Sequence, residues 1–394
     1  MVSPKAARRL AMIATMERID PEMNAADRIV FSIVTVDSVD GLERMWRELE
    51  ARADGSFFLS WHWIGCWLRE TGLRPSLIVG RLDEKIVTLA LVATRHMRRH
   101  GWLGATTLLL HETGDPAIDI SFIEYNGFLV DRTLGEAAVA RCLDFIIGTK
   151  AVGAEEWDEL YLGGIPETYI PIVEACGLPL RIVARKPTAS IDLAALRAGR
   201  RPYLDAPSAN TRQQIRRAMR LYAARGTLHL DAAHDVAQAM EFFDGLKALH
   251  HARWFGRGRR SAFSYPFLER FLRALIARCQ PGGTVELLRI SVGAEPIGYL
   301  YNFVYRGWIG TYLSGFAYED DPRLKPGLVS YSLCAERHLA RGARVQDFLA
   351  GDERYKTSLG KPDTTMYWLA MQRPRARFRL EAALRRLKAM AEGS

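Results

Sequence analysis

Residues 285–305 read VELLRISVGAEPIGYLYNFVY, and this stretch decides the fold. Two runs rich in β-branched and aromatic residues flank GAEP at 293–296, which is the composition of a β-hairpin. Residues 76–94, SLIVGRLDEKIVTLALVAT, show the same pattern around the turn residues DEK at 83–85. One such hairpin in each half of the chain indicates an internal duplication.

The duplication continues after each hairpin. GWLGAT at 101–106 corresponds to GWIGTY at 307–312, and each copy is followed by a predicted helix and then a strand. The helices are expected at 134–147 and 327–341, and the strands at 159–163 and 345–351. This order predicts a mixed α/β (α+β mixed-sheet) fold of two similar units. We expect each unit to have its own sheet, so a single continuous sheet would contradict this expectation.

The domain organisation follows from the repeat and the chain length of 394 residues, which suits two domains. A stretch with Gly199 and two prolines separates the halves near 196–207. Further helices are predicted ahead of the hairpins, at 42–50, 61–70, 208–224, 236–252 and 265–279. The expected units are an N-terminal extension at 1–29, a first domain at 30–199, a second at 200–373 and a basic tail at 374–394.

Composition narrows the class of protein. The chain has 54 Lys and Arg against 45 Asp and Glu, a net charge of +9, which suits an anionic small molecule, membrane or nucleic acid. Its five cysteines form no C-x-x-C pair, so we expect a reducing compartment without disulfides or a metal site. No apolar run approaches the ~20 residues of a membrane span. The expected location is the cytoplasm, with peripheral attachment to the inner membrane as a second expectation.

The sharpest candidate site is DFLAGDERYK at 347–356. Asp352, Glu353, Tyr355 and Lys356 follow a predicted strand, at the edge where open α/β sheets place their sites. Carboxylates, a phenol and an amine are groups that move protons and bind negative charge. The structural alternative is an exposed polar loop.

A second candidate is DDPRLKPG at 320–327, between a predicted strand and helix. Exposed N–H groups at a helix N-terminus bind phosphate, Lys325 adds positive charge, and Gly327 permits close backbone approach. A plain strand–helix loop would fit these residues equally well.

A third candidate is the arginine stripe of the helix predicted at 208–224. Arg212, Arg216 and Arg220 recur every fourth residue and so lie on one helix face. Guanidinium groups bind phosphate bidentately, which favours an anion clamp over a solvated face.

A fourth candidate is HHARW at 250–254, followed by GRGRR at 256–260. His250 or His251 could serve as a general base, although a histidine on a helix is more often structural. The Gly/Arg run could close over a substrate. Motifs for nucleotide loops, zinc peptidases and serine hydrolases are absent from the sequence.

These residues resemble the GNAT acetyltransferase-like domain of bacterial proteins known as cellulose-biosynthesis acetyltransferases. Their relatives, the peptidoglycan aminoacyltransferases, also have two GNAT-like halves. The resemblance covers about 200–370, and over 30–195 it rests on the repeat. The matching residues are Ser208-x-Asn210-x-Arg212, Arg216-Arg217, His251-x-Arg253-Trp254, Lys325-Pro326-Gly327 and the segment 347–356.

The resemblance implies tandem GNAT-like domains, with 200–373 catalytic and 30–199 degenerate and structural. It implies an acyl-CoA or acyl carrier thioester as cosubstrate and no metal. The residues expected to bind this cosubstrate are Lys325, Gly327, Arg212 and Arg216, and those expected to bind the acceptor are Arg253, Trp254 and Tyr312.

For the chemistry, the resemblance implies an N-acyltransferase. Asp352 or Glu353 is expected as the base, with His251 as a further catalytic candidate. Tyr355 is expected to protonate the leaving thiolate, and Lys356 to stabilise negative charge.

The acceptor is predicted from the tail, where residues 375–390 form a basic amphipathic helix with Leu380, Leu384 and Leu387 on one face. Such a helix can lie on an anionic membrane or pack on the domain. The first interpretation favours a lipid amine, as in the GNAT-type ceramide synthases that acylate a sphingoid base. Polysaccharide or peptidoglycan amines are the alternative acceptors.

Two other classes stay open. The arginine stripe that starts at Arg212 and the arginines at 257, 259 and 260 could bind nucleic acid with strong salt dependence, although nucleic acid is not an expected partner. The second open class is a catalytically inactive interaction module.

Overall fold

The computed structural model describes residues 24–36, 38–99, 103–149, 151–152, 155–256, 258 and 261–392. The main strands are β1 (Val30–Thr35), β2 (Ser76–Leu82), β3 (Lys85–Arg99), β4 (Leu103–Leu110), β5 (Glu159–Pro166), β6 (Leu180–Asp192), β7 (Leu228–Ala232), β8 (Val285–Val292), β9 (Glu295–Tyr305), β10 (Trp308–Phe316), β11 (Val345–Asp347) and β12 (Lys361–Gln372). The α-helices are α1 (Val39–Glu50), α2 (Trp61–Thr71), α3 (Gly135–Gly148), α4 (Ile170–Ala175), α5 (Leu193–Ala198), α6 (Ala209–Ala223), α7 (Val236–Phe255), α8 (Pro266–Cys279), α9 (Pro326–Ala340), α10 (Arg354–Leu359) and α11 (Ala376–Glu392).

Shorter elements complete the chain. The 3-10 helices are Ala25–Arg28, Phe57–Leu59, Asp119–Ser121, Glu167–Tyr169, Tyr203–Asp205 and Ala262–Ser264. The strand Leu129–Val130 pairs with β3, and Ala151–Val152 pairs with Glu155–Glu156.

The two halves have the same order of elements. Each runs strand, two helices, three strands, helix, strand, helix, strand: β1 to β6 with α1 to α4, then β7 to β12 with α7 to α10. The predicted mixed α/β class and the duplication are confirmed, and both predicted hairpins form, as β2–β3 and β8–β9. The opening strands β1 and β7, which lie at the two edges of the sheet, were not predicted from the sequence; they are short, with six and five residues. In the first half, Gly101 and Trp102 of the repeat lie outside the described residues.

The expectation of a separate sheet for each half is wrong, because all twelve main strands share one sheet. Their order is β1-β2-β3-β4-β5-β12-β6-β11-β10-β9-β8-β7. The closing strands are exchanged: β12 pairs with β5 of the first half, β6 pairs with β11 of the second, and β6 and β12 pair with each other. In the folded chain, β12 therefore covers the edge of β5 and β6 covers the edge of β11, so each half covers a sheet edge of the other.

The halves also share a core on the sheet face covered by α1, α2, α7 and α8. The ring of Phe57 stacks on that of Phe303 with 4.1 Å between centroids. Trp63 of α2 meets Phe271 of α8 edge-on at 4.9 Å. On the opposite face the cores are separate, one beneath α3 and the other beneath α6 and α9. The shared aromatic cluster therefore holds the halves together.

The tail helix α11 packs on the first half. Phe378 is buried against Leu103 and Ala105, and Glu381 accepts a 3.0 Å hydrogen bond from Arg99 of β3. The packed-helix interpretation therefore describes its first turns, while Leu380 and Leu384 stay exposed. The side chain of Leu387 lies outside the described part of the chain. None of the helices described is long and apolar enough to cross a bilayer.

Candidate active site

The site begins where two parallel strands separate. β10 and β11 are paired only at Trp308↔Val345, Ile309↔Gln346 and Gly310↔Asp347. β11 then ends, while β10 continues to Phe316. The gap opens into a cavity of about 640 Å³. Eight predicted site residues line it, namely Glu353, Tyr355, Lys356, Lys325, Gly327, Arg253, Trp254 and Tyr312.

The start of α9 forms one wall of this cavity. Lys325, Gly327 and Leu328 line it, and Pro326 is the first helical residue. The first-turn N–H groups of a helix have no partner within the helix, and no side chain caps them here. With the positive end of the helix dipole and the Lys325 ammonium, they suit a phosphate group. A Cβ at Gly327 would lie 3.2 Å from the Phe316 ring, so the glycine keeps this wall close to β10.

The opposite wall is the loop 348–356, which Lys356 holds in place. Its buried ammonium donates to the carbonyls of Leu349 at 3.2 Å and Ala350 at 2.8 Å. It also lies 3.1 Å from the Glu353 carboxylate, whose side chain is 58% exposed. Asp352 is exposed and does not line the cavity. The geometry therefore gives Lys356 a positioning task and leaves Asp352 outside the site.

Tyr355 lines the cavity on the side of the loop 348–356. Its ring stacks on Tyr331 of α9 at 5.2 Å with an interplanar angle of 2°, and the Tyr331 hydroxyl lies 3.0 Å from Ser314 Oγ. Burial raises the pKa of Tyr355 well above its ordinary value, so the phenol stays protonated and able to donate. Thr311 offers a second donor, because its buried hydroxyl has no hydrogen-bond partner within the described chain.

His250 and His251 lie in different surroundings. His250 lines the cavity, and its Nε2 accepts from Trp254 Nε1 at 3.0 Å. Its Nδ1 therefore carries the proton and donates to Ser261 Oγ, 2.9 Å away. Burial lowers the pKa of His250 to about 4, so the ring is neutral with both nitrogens engaged. His251 does not line the cavity and faces Phe263 instead.

The first half also reaches the cavity, where Ile120, Phe122 and Glu124 contribute to the wall. The Ala350 N–H donates to Glu124 Oε2 at 2.7 Å, so this side chain joins the first half to the loop held by Lys356. Burial raises the pKa of Glu124 to about 8. The first half, which the sequence predicts to be structural, therefore contributes part of the cavity wall through this segment.

Two further contacts fasten this first-half segment to the second half. The Tyr312 hydroxyl donates to the Ser121 carbonyl, and the Tyr125 hydroxyl donates to Asp347. Asp347 also accepts from Trp308 Nε1 at 3.1 Å. Burial raises the pKa of Asp347 to about 6. The segment ISFIEYNG at 120–127 contains no recognisable motif, so the sequence alone did not indicate Glu124 as a site residue.

The predicted arginine clamp lies elsewhere. Arg212 is 3.7 Å from Asp205, and Arg216 is exposed. Neither lines the cavity. Arg257, Arg259 and Arg260 of the Gly/Arg run lie outside the residues described.

Comparisons with known proteins agree with this geometry. Residues 209–357 match the family model for the acetyltransferase (GNAT) domain. No curated protein matches the chain.

Two solved structures have the same fold over most of their length. FemX has 11% identity and a TM-score of 0.54, with 86% of this chain and 95% of that chain covered. The C-terminal domain of a protein from Agrobacterium fabrum assigned as a lysylphosphatidylglycerol synthetase has 11% identity and a TM-score of 0.50, covering 90% and 96%. The domain match contains the strand separation and the start of α9, so residues 209–357 are similar to a GNAT acetyltransferase domain, and this similarity supports an N-acyltransferase activity.

Proposed function

We propose that the protein transfers an acyl group from a thioester to an amine of a cell-envelope molecule. The observation that carries this proposal is the cavity between β10 and β11, with the start of α9 on one wall and the loop 348–356 on the other. Amide formation from a thioester needs a group to take the amine proton and donors for the developing negative charge. The cavity supplies buried carboxyl, phenol and hydroxyl groups for these tasks.

The donor is an acyl-CoA or an acyl carrier thioester. Its phosphate binds at the first turn of α9 beside Lys325, where N–H groups and positive charge converge. The thioester arm then runs between β10 and β11, which places the acyl carbon near Tyr355 and Thr311. Both side chains line the cavity.

The acceptor is the primary amine of a lipid, with a sphingoid base as the first candidate. Much of the cavity wall is apolar, including Leu249, Leu268, Leu313 and Leu328. The name of the Agrobacterium fabrum neighbour describes synthesis of an aminoacylated phospholipid, which supports an envelope acceptor. An amine of a polysaccharide or peptidoglycan precursor is the second candidate.

The test is a transfer assay with the purified protein and a panel of defined substrates. Acetyl-CoA, palmitoyl-CoA and palmitoyl-acyl carrier protein are each paired with sphinganine, glucosamine and Nα-acetyl-lysine, and amide products are measured by mass spectrometry. Amide formation with sphinganine supports the lipid acceptor, and a product with only glucosamine or Nα-acetyl-lysine moves the acceptor to the second candidate. The absence of amide from every pair would reject the proposal.

The donor site is tested in the same assay by Lys325→Ala. Removing a charged hydrogen-bond donor is expected to raise KM for the thioester roughly tenfold or more, with a smaller change in kcat. Lys361→Ala, an exposed lysine outside the cavity, is the matched control. An unchanged KM in Lys325→Ala would place the donor phosphate elsewhere.

A further inference from the structure

The cavity of the second half contains a buried carboxyl group from the first half. We propose that Glu124 is the group that takes the proton from the acceptor amine, so that the catalytic centre is shared between the two halves. This inference rests on the proposed N-acyl transfer and assigns its acid–base residue.

The position of Glu124 is fixed from both sides of the junction. Its Oε2 accepts from the Ala350 N–H, and its neighbour Tyr125 donates to Asp347. On the first-half side, Asn126 Nδ2 donates to the carbonyls of Leu110 at 3.0 Å and Gly163 at 2.9 Å. The carboxyl is therefore held against the cavity by hydrogen bonds on both adjacent segments.

The backbone around Glu124 is unusual. Phe122 and Tyr125 have φ values of +38° and +48°, a region that non-glycine residues seldom adopt. These two residues flank Glu124 closely and turn the chain into the junction. Strained backbone of this kind persists where surrounding contacts hold it, and it concentrates at functional sites.

The electrostatic surroundings suit a proton acceptor that works near neutral pH. Lys356 and Lys186 favour the carboxylate, Asp347 opposes it, and burial opposes it most strongly. Tyr312 also lies close to Glu124 and stays protonated, because burial raises its pKa. A base is most effective when its pKa lies near the working pH, and Glu124 meets this condition.

The carboxylates predicted from the sequence are less suited to this task. Glu353 is more than half exposed, and its carboxylate lies 3.1 Å from the Lys356 ammonium. Asp352 is exposed and outside the cavity. Water competes with an incoming amine at both positions, whereas Glu124 is 8% exposed.

The reaction balances with Glu124 as the base. An acceptor ammonium gives one proton to the Glu124 carboxylate, and the neutral nitrogen attacks the thioester carbon to form the C–N bond. The C–S bond then breaks, and the departing thiolate takes up a proton from Tyr355. The remaining extra proton on nitrogen returns to Tyr355, and Glu124 releases its proton to water. The products are an amide, a thiol and one proton.

The test compares Glu124→Gln with Glu353→Gln, using whichever thioester and amine pair gives product with the unaltered protein. Glu124→Gln is expected to lower kcat roughly 10²–10⁴-fold, because a positioned base contributes that much. It should also remove the rise of kcat/KM with pH through about 8, which Glu353→Gln should retain. Glu167→Gln, an exposed first-half carboxyl outside the cavity, is the matched control.

Folding is checked by melting temperature and by binding of the same thioester, which Glu124→Gln should leave nearly unchanged. If Glu124→Gln does not fold, Glu124→Asp serves instead, with lower kcat and a retained pH dependence. Near-normal turnover in a folded Glu124→Gln protein, or loss of the pH dependence in Glu353→Gln instead, would overturn this assignment. Either result would leave N-acyl transfer standing, since the unaltered protein would still make the amide.

Discussion

At the scale of single residues, two carboxyl groups, those of Glu124 and Asp347, are buried at the junction between the halves. Burial raises the pKa of Glu124 to about 8 and that of Asp347 to about 6. Asp347 accepts hydrogen bonds from Tyr125, Trp308 and the Leu349 N–H, which favour its ionised form against that burial. Among the residues that the structure describes, the Ala350 N–H is the one donor to the Glu124 carboxyl, which therefore holds its proton to higher pH than Asp347 does.

The raised pKa of Glu124 predicts a pH-dependent stability. The folded protein holds this proton more tightly than the unfolded chain, so the stabilisation is complete below the ordinary glutamate pKa and is lost as pH rises through about 8. Glu124→Gln has no such proton, so its melting temperature relative to the unaltered protein should rise between about pH 5 and pH 9. Thermal melts across this range measure the difference, with Glu167→Gln as the control. A difference that does not vary with pH would contradict the buried, protonated state.

Tyr355 gives a second prediction at this scale. Replacing it with Phe keeps the stack on Tyr331 but removes the buried hydroxyl, so kcat should fall roughly 10²–10⁴-fold with little change in thioester binding. Transfer kinetics of Tyr355→Phe measure this, and Tyr367→Phe, outside the cavity wall, is the matched control. Normal kcat in Tyr355→Phe would show that the leaving thiolate takes its proton from another group.

At the scale of elements, strands and helices from one half complete the other. β12 covers β5, β6 covers β11, and α11 returns from the end of the chain to β3 and β4. The anchor of α11 is ionic as well as apolar, since Arg99 lies between Glu159 and Glu381. A basic helix predicted from its amphipathic pattern thus has one docked side and one exposed side.

The two sides of α11 predict separable effects. Leu380→Ser with Leu384→Ser should reduce sedimentation with anionic liposomes and leave the melting temperature unchanged, because both side chains are about half exposed. Glu381→Ala should instead cost roughly 1–3 kcal/mol of stability, because it removes a buried partner of Arg99. Liposome sedimentation and thermal melts measure the two effects. Unchanged liposome binding in the leucine double variant would reject membrane contact through this face.

At the scale of the whole molecule, the two halves form one folding unit. The exchanged strands place the backbone partners of each half in the other, and the aromatic core around Phe57 and Phe303 crosses the junction. The carboxyl proposed as the base lies on one half, and the candidate donor site lies on the other. The shared sheet and core thus lie at the same junction as the proposed catalytic centre.

This arrangement predicts that the halves cannot be separated. Fragments 1–206 and 207–394, expressed alone, should be insoluble or lack a cooperative melt, because β5 or β11 would lose its neighbouring strand. Co-expressed fragments should purify as one complex that regains transferase activity. Size-exclusion chromatography and the transfer assay measure both results. Two stable, monomeric fragments would show that the exchange contributes little.

Local pattern was sufficient for much of the fold. The hairpins at 76–94 and 285–305, the helix of residues 209–223 and the start of α9 follow from turn residues, apolar spacing and helix signals within short windows. Short stretches of sequence also indicated the site residues that lie together in the cavity, namely Lys325, Gly327, Glu353, Tyr355 and Lys356. These residues belong to one contiguous half, so the order of elements was enough to bring them near one another.

Only the tertiary structure decided the remaining features. The last strand of each half has the same alternation of apolar and polar side chains whichever strand it pairs with. The sequence therefore could not show that β6 and β12 are exchanged between the halves. Glu124 sits in a loop without a motif, more than 200 residues from the Ala350 amide that it contacts. Burial at the junction raises its pKa, and Asp347 of the other half adds to this rise. Periodicity and spacing report local geometry, whereas strand exchange and the environment of a buried charge depend on contacts between distant parts of the chain.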